Sequence, residues 1–143
     1  MKLKQIIPSP VISVEPEESV EVAARTLEHY NIGALPVCRS GRLYGVVTDR
    51  DLVTRCVAAG RDPSKTSVRE VMTTRIVSAK PDMDAAVAAS LMGKEKIRRL
   101  PVVENGLIRG MVSLGDLAVL EQNAYDAADA LSEISSQLPQ NST

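Results

Sequence analysis

Two short elements of this sequence combine a hydroxyl and a carboxylate at the same spacing. Gly45–Asp51 and Gly110–Asp116 each read glycine, two apolar residues, a hydroxyl residue, two variable residues and aspartate. If the hydroxyl residue ends a strand and the aspartate lies in the first turn of a helix, both side chains face one crevice beside unpaired backbone N–H groups. A carboxylate there can accept hydrogen bonds from both hydroxyls of a ribose, and the helix N-terminus suits phosphate oxygens.

A second interpretation of these elements is purely structural. Thr48 with Asp51, and Ser113 with Asp116, also match the capping box, in which a hydroxyl and an acid three residues apart cap a helix. Taken alone, this spacing more often caps a helix than binds a ligand. Its recurrence at one register, 65 positions apart, favours the functional interpretation, and both hypotheses stay open.

A run of cations distinguishes the two halves of the chain. Lys94–Arg99 contains four basic residues immediately before an apolar stretch, whereas the aligned segment His29–Ala34 has Gly33 and Ala34 in place of Arg98 and Arg99. Such a run is usually a solvated surface. Arg98 and Arg99 nevertheless precede a strand that should reach the crevice, where arginine can bind phosphate through two parallel hydrogen bonds.

The elements that position these residues are written twice. Val11–Leu52 aligns with Ile76–Leu117 without a gap, and roughly a third of the paired positions are identical. The identities concentrate where geometry is demanding, as in Leu35-Pro36-Val37 against Leu100-Pro101-Val102. A repeat of this kind indicates one structural unit used twice. It also predicts two copies of any site, with a cleft between the units.

Each copy predicts a strand, a helix, a hairpin of two strands and a second helix. In the first copy these are a strand at Val11–Val14, a helix over Val20–Tyr30 capped by Ser19, a hairpin turning at Ser40-Gly41, and a helix over Asp49–Ala59. In the second copy they are Ile76–Ser78, a helix capped by Asp84, a hairpin at Asn105-Gly106 and a helix from Leu114. Leu3–Ile7 and Ser67–Met72 are predicted to lead into the repeats that they precede. The prolines Pro36 and Pro101 predict edge or bulged strands.

A last helix is predicted beyond the repeat. Ala124–Leu138 carries an apolar stripe at helical spacing, formed by Ala127, Ala128, Leu131, Ile134 and Leu138. We favour a helix folded back on its own domain, with a dimer contact as the alternative. The polar end, Pro139–Thr143, is expected to be disordered.

Composition excludes several classes of function. A net charge of −1, and the absence of Phe and Trp, argue against nucleic-acid binding, and no apolar run is long enough for a membrane span. One histidine, His29, and two scattered cysteines, Cys38 and Cys56, predict neither a metal site nor a disulfide. No catalytic constellation or phosphate-binding glycine loop is present. We therefore expect a cytoplasmic protein that is not an enzyme and needs no enzyme cofactor.

Taken together, these features resemble a tandem pair of CBS domains, the regulatory module named after cystathionine β-synthase. The matching segments are Ile32–Val37, Gly45–Leu52, Ile97–Val103 and Gly110–Leu117. The resemblance spans residues 1 to about 123 and is to the small bacterial and archaeal members without a catalytic domain. It implies an α/β (α+β) fold of two tandem repeats, each strand-helix-strand-strand-helix, related by pseudo-twofold symmetry. The implied domains are 1–62, 63–123, and a C-terminal helix and tail, 124–143.

The resemblance also implies two clefts for adenosine compounds: AMP, ADP, ATP, NAD or S-adenosylmethionine. In this family the Asp of one repeat holds the ribose, and basic residues before the Leu-Pro strand of the other repeat meet the phosphates. The first cleft would use Thr48, Arg50, Asp51, Arg98 and Arg99, with adenine against Ile12, Ala34 and Pro36. The second, weaker cleft would use Gly33, Pro101, Ser113 and Asp116, and it lacks the two arginines.

The resemblance also implies a function for the chain. The chain should be a non-catalytic sensor of adenosine nucleotides that regulates a protein partner, which the sequence does not identify. Related proteins join two pairs into a flat four-repeat disc, so a homodimer of that form is expected. The alternative hypothesis is a ligand-free module for dimerisation or for docking to a partner.

Overall fold

The computed structural model describes residues 1–8, 10–118 and 124–135 of the chain. It is an α+β protein made of helices and one four-stranded antiparallel sheet. In chain order the elements are α1 (Val20–Tyr30), β1 (Ala34–Arg39), β2 (Arg42–Thr48), α2 (Asp49–Leu52), α3 (Ala85–Glu95), β3 (Arg99–Glu104), β4 (Leu107–Ser113), α4 (Leu114–Ala118) and α5 (Ala124–Ser135). The strand order is β1-β2-β4-β3. Short 3₁₀ turns at Leu3–Gln5 and Val68–Glu70 precede the repeats.

The chain forms two compact units. The first-repeat unit contains Pro10–Ile76 together with Asn105–Ile108. The second-repeat unit contains residues 1–8, Val77–Glu104 and the described residues from Arg109 onward. Arg42 pairs with Leu107 inside the first-repeat unit, which explains why the tip of the second hairpin belongs to it.

The two long repeat helices begin at the caps that the sequence predicts. Ser19 Oγ accepts a hydrogen bond of 3.1 Å from the Val22 N–H at the start of α1, and Asp84 Oδ1 accepts one of 2.9 Å from the Ala86 N–H at the start of α3. These side chains satisfy N–H groups that have no partner within the helix. At the other end, Asn31 and Lys96 adopt left-handed backbone with φ of 53° and 58°, so the chain leaves each helix at the same point.

Both hairpin turns have the backbone that a two-residue turn requires. In Ser40-Gly41 and Asn105-Gly106 each of the two central residues has positive φ, between 52° and 80°. That geometry matches the right-handed twist of the flanking strands, and it confirms the prediction at both sites. Pro36 lies on β1, an edge strand, and the register of β1 against β2 shifts between Val37 and Cys38. An edge position tolerates the missing N–H of proline.

The first strand predicted for each repeat is reduced to a single bridge. Val14 pairs in parallel with Val37, and Ala79 pairs with Val102, but neither Val11–Val14 nor Ile76–Ser78 forms a strand. The Val14 N–H donates to the Pro36 carbonyl oxygen at 3.1 Å, and the Cys38 N–H donates to the Val14 oxygen at 2.8 Å. Pro16 then has no N–H with which to extend the pairing.

The second helix of the first repeat changes type after one turn. We predicted a helix over Asp49–Ala59, whereas α2 ends at Leu52 and Val53–Val57 continue as a π-helix. The Ala58 N–H donates to the Val53 oxygen at 2.8 Å, five residues back. Single π-turns inside helices often occur at functional sites.

Each unit has its own aliphatic core. The fully buried residues of the first-repeat unit include Leu35, Val37, Val47, Val68 and Val71. Those of the second-repeat unit include Leu3, Met92, Leu100, Val102 and Leu117. Cys38 and Cys56 are buried free cysteines.

Each lead-in segment packs in the core of the unit that contains the other repeat. Leu3, which precedes the first repeat, lies in the core of the second-repeat unit, and its N–H donates to the Met83 oxygen at 2.9 Å. Val68 precedes the second repeat but lies in the first core, and its N–H donates to the Glu18 oxygen at 2.8 Å. Both segments have the same apolar pattern, so the sequence alone does not show on which unit each of them packs.

Helix α5 confirms the favoured prediction for the C-terminal segment. Ala130 and Ile134 are buried in the core of the second-repeat unit, so the helix covers its own unit. Leu131 of the predicted stripe is instead 42% exposed, because α5 is rotated toward Ala130. Leu138 and the predicted tail, Pro139–Thr143, lie outside the described residues.

An exposed carboxylate in the first-repeat unit predicts a pH dependence of stability. Glu17 accepts hydrogen bonds from Arg39 and from Arg69 (2.7 Å), and these lower its pKa from 4.5 to about 2. The interaction is fully present above pH 4.5 and is lost as the pH falls toward 2. We expect the stability difference between wild type and Glu17→Gln, measured by urea unfolding, to shrink over this window.

The two arginines provide the control for that prediction. In a chain carrying Arg39→Ala and Arg69→Ala, Glu17→Gln should change stability far less than it does in the wild type. Fully additive effects of the three substitutions at pH 7 would show that Glu17 contributes through some other contact.

Candidate functional site

Thr48 and Asp51 lie where β2 turns into α2. The Asp51 N–H donates to Thr48 Oγ1 at 3.1 Å, and the Thr48 N–H donates to Asp51 Oδ2 at 3.0 Å. This is a complete capping box, as one of the two sequence hypotheses predicts. Asp51 is buried, with 9% of its surface exposed, so its carboxyl group lies at the helix start largely away from water.

Ser113 and Asp116 repeat this geometry where β4 turns into α4. The Asp116 N–H donates to Ser113 Oγ at 3.0 Å, and the Ser113 N–H donates to Asp116 Oδ2 at 2.9 Å. Asp116 is exposed, in contrast to Asp51. In both elements the cap uses the Oδ2 atom of the aspartate, so Oδ1 is the carboxylate oxygen that the cap does not use.

A backbone hydrogen bond ties each helix start to the residue in front of the neighbouring strand. The Asp49 N–H donates to the Gly33 carbonyl oxygen at 3.0 Å, and the Leu114 N–H donates to the Arg98 oxygen at 2.7 Å. Gly33 is therefore adjacent to the Thr48 element, and Arg98 to the Ser113 element. In the first-repeat unit the register also pairs Ala34 with Thr48.

The remaining predicted site residues differ in exposure. Arg50 and Arg98 are exposed, Arg99, Gly33 and Ile12 are half-buried, and Ala34, Pro36 and Pro101 are buried. Within one unit the structure brings Gly33 and Ala34 to Thr48, and within the other it brings Arg98 to Leu114. The pairing of Asp51 with Arg98 and Arg99 joins residues of different units and stays a prediction.

Arg55 is a residue near this site that the sequence analysis did not single out. Its Nε lies 3.9 Å from Asp51 Oδ1, and its Nη1 donates to the Val71 and Met72 carbonyl oxygens at 3.2 Å each. The two carbonyls fix the guanidinium next to the carboxylate. The spacing of Asp51 and Arg55 could have indicated this pair, because residues four apart on a helix are neighbours. The aligned residue of the second repeat is Leu120.

Gly45, which opens the first element, lies where the surrounding atoms leave no room for a Cβ. A Cβ on Gly45 would lie 2.8 Å from Met72 Sδ and 2.9 Å from the Thr73 carbonyl oxygen. Gly45→Ala is therefore expected to destabilise the protein by about 1–3 kcal/mol, as overpacking does, measured by urea unfolding. Gly115→Ala is the control, because its Cβ would meet nothing closer than Ser113 Oγ at 3.6 Å. Equal stability of the two variants would contradict this explanation.

Among the residues that the structure describes, no group of three or more His, Cys, Asp or Glu side chains could hold a metal ion. Burial raises the pKa of the Cys38 thiol to about 11, which keeps it protonated and a poor nucleophile. Within the same described residues, no helix is both long and apolar enough to cross a membrane.

The fold and the doubled element identify the class of protein. The CBS domain family model matches residues 3–58 and 68–123, so the chain belongs to the CBS domain family and carries two CBS domains. It is 42% identical over 135 residues to the CBS domain-containing protein YhcV of Bacillus subtilis (strain 168), covering 94% of this chain and 96% of the relative.

Solved structures of CBS pairs share the fold. Hypoxic Response Protein I, solved with two coordinated zinc ions, is 30% identical with a TM-score of 0.76, over 82% of this chain and 97% of that one. The CBS domain pair of MJ0100, solved in complex with 5′-methylthioadenosine and S-adenosyl-L-methionine, is 28% identical with a TM-score of 0.75, over 87% and 98%. The predicted family and fold class are thus confirmed.

Proposed function

We propose that this protein is a non-catalytic regulatory module that binds adenosine nucleotides and reports the energy or metabolite state of the cell to a partner protein. Its ligands would be AMP, ADP or ATP, with NAD and S-adenosylmethionine as further candidates. Ligand-binding regulation is the function that relatives built from CBS pairs support, and MJ0100 binds two adenosine compounds.

The observation that carries the proposal is the doubled hydroxyl–aspartate element. Thr48 with Asp51, and Ser113 with Asp116, have matching hydrogen bonds at the starts of α2 and α4. In each element the cap uses Oδ2 of the aspartate, and a ribose hydroxyl would donate to Oδ1. In Asp51 this oxygen lies 3.9 Å from Arg55 Nε.

The positions of the arginines predict two sites that differ in their affinity for phosphate groups. In the stronger site Thr48 and Asp51 hold the ribose, Arg98, Arg99 and Arg50 meet the phosphates, and Ile12, Ala34 and Pro36 contact adenine. The weaker site has Ser113, Asp116, Gly33 and Pro101. Because Gly33 and Ala34 stand at the positions of Arg98 and Arg99, it would favour an adenosine compound with little negative charge.

One observation favours a second candidate function. Both aspartates already accept a hydrogen bond from their own capping box, so the elements are stable without a ligand. A ligand-free module for dimerisation or partner docking would need nothing more.

In the nucleotide-binding proposal the protein is also a homodimer in the form of a four-repeat disc.

Isothermal titration of the purified protein with adenosine, AMP, ADP, ATP, NAD and S-adenosylmethionine tests the proposal. We expect at least one of them to bind with a dissociation constant below the millimolar range. Native mass spectrometry of freshly purified protein adds a check for a co-purified adenosine compound. The absence of binding to every compound at millimolar concentration would reject nucleotide sensing in favour of the docking module.

A further inference from the structure

Helix α5 packs on α3 and α4, the two helices next to the proposed binding residues of the second-repeat unit. It contacts α3, whose C-terminal end leads into Arg98 and Arg99, and α4, whose first turn contains Asp116. Ala130 and Ile134 bury the apolar side of α5 against this unit. Anything that moves α5 therefore acts on the helices next to these residues.

A close contact fixes where α5 sits on α3. A Cβ on Gly93 would lie 3.0 Å from both Cα and Cβ of Ala130, and 3.1 Å from Glu133 Oε2. Only glycine at 93 and a small residue at 130 allow the two helices to approach this closely. The same approach holds the Glu133 carboxylate at the C-terminal end of α3.

Glu133 places a negative charge in the basic run. Its Oε1 lies 3.5 Å from Lys96 Nζ, and Lys96 is the left-handed residue that ends α3, two positions before Arg98. The two side chains are 40% and 52% exposed, so their pair adds little stability. Its electrostatic effect on a bound anion nevertheless grows with the charge of that anion.

We propose that Glu133 is a specificity-determining residue that weakens the binding of highly charged nucleotides at Arg98 and Arg99. The inference rests on the proposed function, in which these arginines meet the phosphates. Glu133 offsets part of the positive potential of Lys94–Arg99, so a triphosphate loses more affinity than a monophosphate. By thermodynamic reciprocity, a bound polyphosphate weakens the Lys96–Glu133 pair and the docking of α5.

The test compares Glu133→Gln with wild type and with Glu104→Gln in the full chain. Glu104 is an exposed carboxylate of the same unit that pairs with Arg109 at the opposite end of β3 from Arg99, so it controls for the loss of one charge. At low ionic strength, titration calorimetry should show Glu133→Gln binding ATP about fivefold more tightly and AMP about twofold. Adenosine should bind equally to all three proteins, and high salt should shrink the gain for ATP.

The outcomes separate this inference from the proposed function. If wild type binds ATP but Glu133→Gln binds it no more tightly, or if adenosine gains as much as ATP, Glu133 has no such role and the proposed function stands. If Glu133→Gln binds ATP while the wild type binds only less charged adenosine compounds, the inference is supported. If neither protein binds any adenosine compound, both proposals are rejected.

Discussion

Replacing Asp51 with alanine is expected to abolish nucleotide binding at the stronger site while lowering the free energy of unfolding by only about 1 kcal/mol. The carboxylate is the proposed acceptor for the ribose hydroxyls, and hydrogen bonds to a charged group contribute about 1.5–3 kcal/mol each. Losing them reduces affinity by a factor of ten or more per bond. Titration calorimetry and urea unfolding of the same preparation measure the two effects separately.

Asp116→Ala is the matched control for this experiment. It removes an equivalent capping box, in which the Ser113 N–H donates to the carboxylate at 2.9 Å, so a loss of similar size in stability is expected. Its effect on affinity should be confined to the weaker site. If Asp51→Ala loses the same stability as Asp116→Ala and keeps wild-type affinity, Asp51 acts only as a cap.

The second large effect is expected at Leu100, in the core of the second-repeat unit. Its side chain is fully buried, and replacing a buried leucine with alanine removes apolar contacts and leaves a cavity. Leu100→Ala should lower the free energy of unfolding by about 2–5 kcal/mol, measured by urea denaturation followed by circular dichroism.

Leu107→Ala is the comparison for Leu100. Leu107 is 44% exposed on β4, so it loses little contact on truncation, and a change within about 0.5 kcal/mol is expected. A loss below 1 kcal/mol at Leu100 would mean that the core around β3 can collapse onto the missing side chain.

Much of the fold followed from local rules that the sequence displays. The Ser19 and Asp84 caps, the Asn105-Gly106 turn and the edge proline are decided by neighbouring residues, so each was predicted correctly. The errors arose where tertiary contacts decide. Nothing local distinguishes a short strand from the single Val14–Val37 bridge.

The local geometry of the two hydroxyl–aspartate elements was predictable to a similar depth, whereas their role in binding stays a prediction. Thr48–Asp51 and Ser113–Asp116 could be found because their spacing is short and repeated, and both form the hydrogen bonds that this spacing allows. The burial of Asp51 against the exposure of Asp116 could not be predicted, since both aspartates occupy the same place in the repeat. Arg55 could have been found from its helical spacing. The role of Glu133 depends on how α5 docks, which the sequence pattern does not determine.

The exchange of lead-in segments means that this chain cannot be cut at its midpoint into two working halves. A fragment of residues 1–62 would lack Val68 and Val71, which complete the core around Leu35, and would leave Leu3 without its own core. During synthesis Leu3 is made early, whereas its hydrogen-bond partner Met83 follows about 80 residues later, and most of its core is made later still. Because these N-terminal residues contact residues that are distant in sequence, the second-repeat unit has a high contact order, which slows its folding. Short N-terminal tags or deletions should therefore destabilise the second-repeat unit before the first-repeat unit.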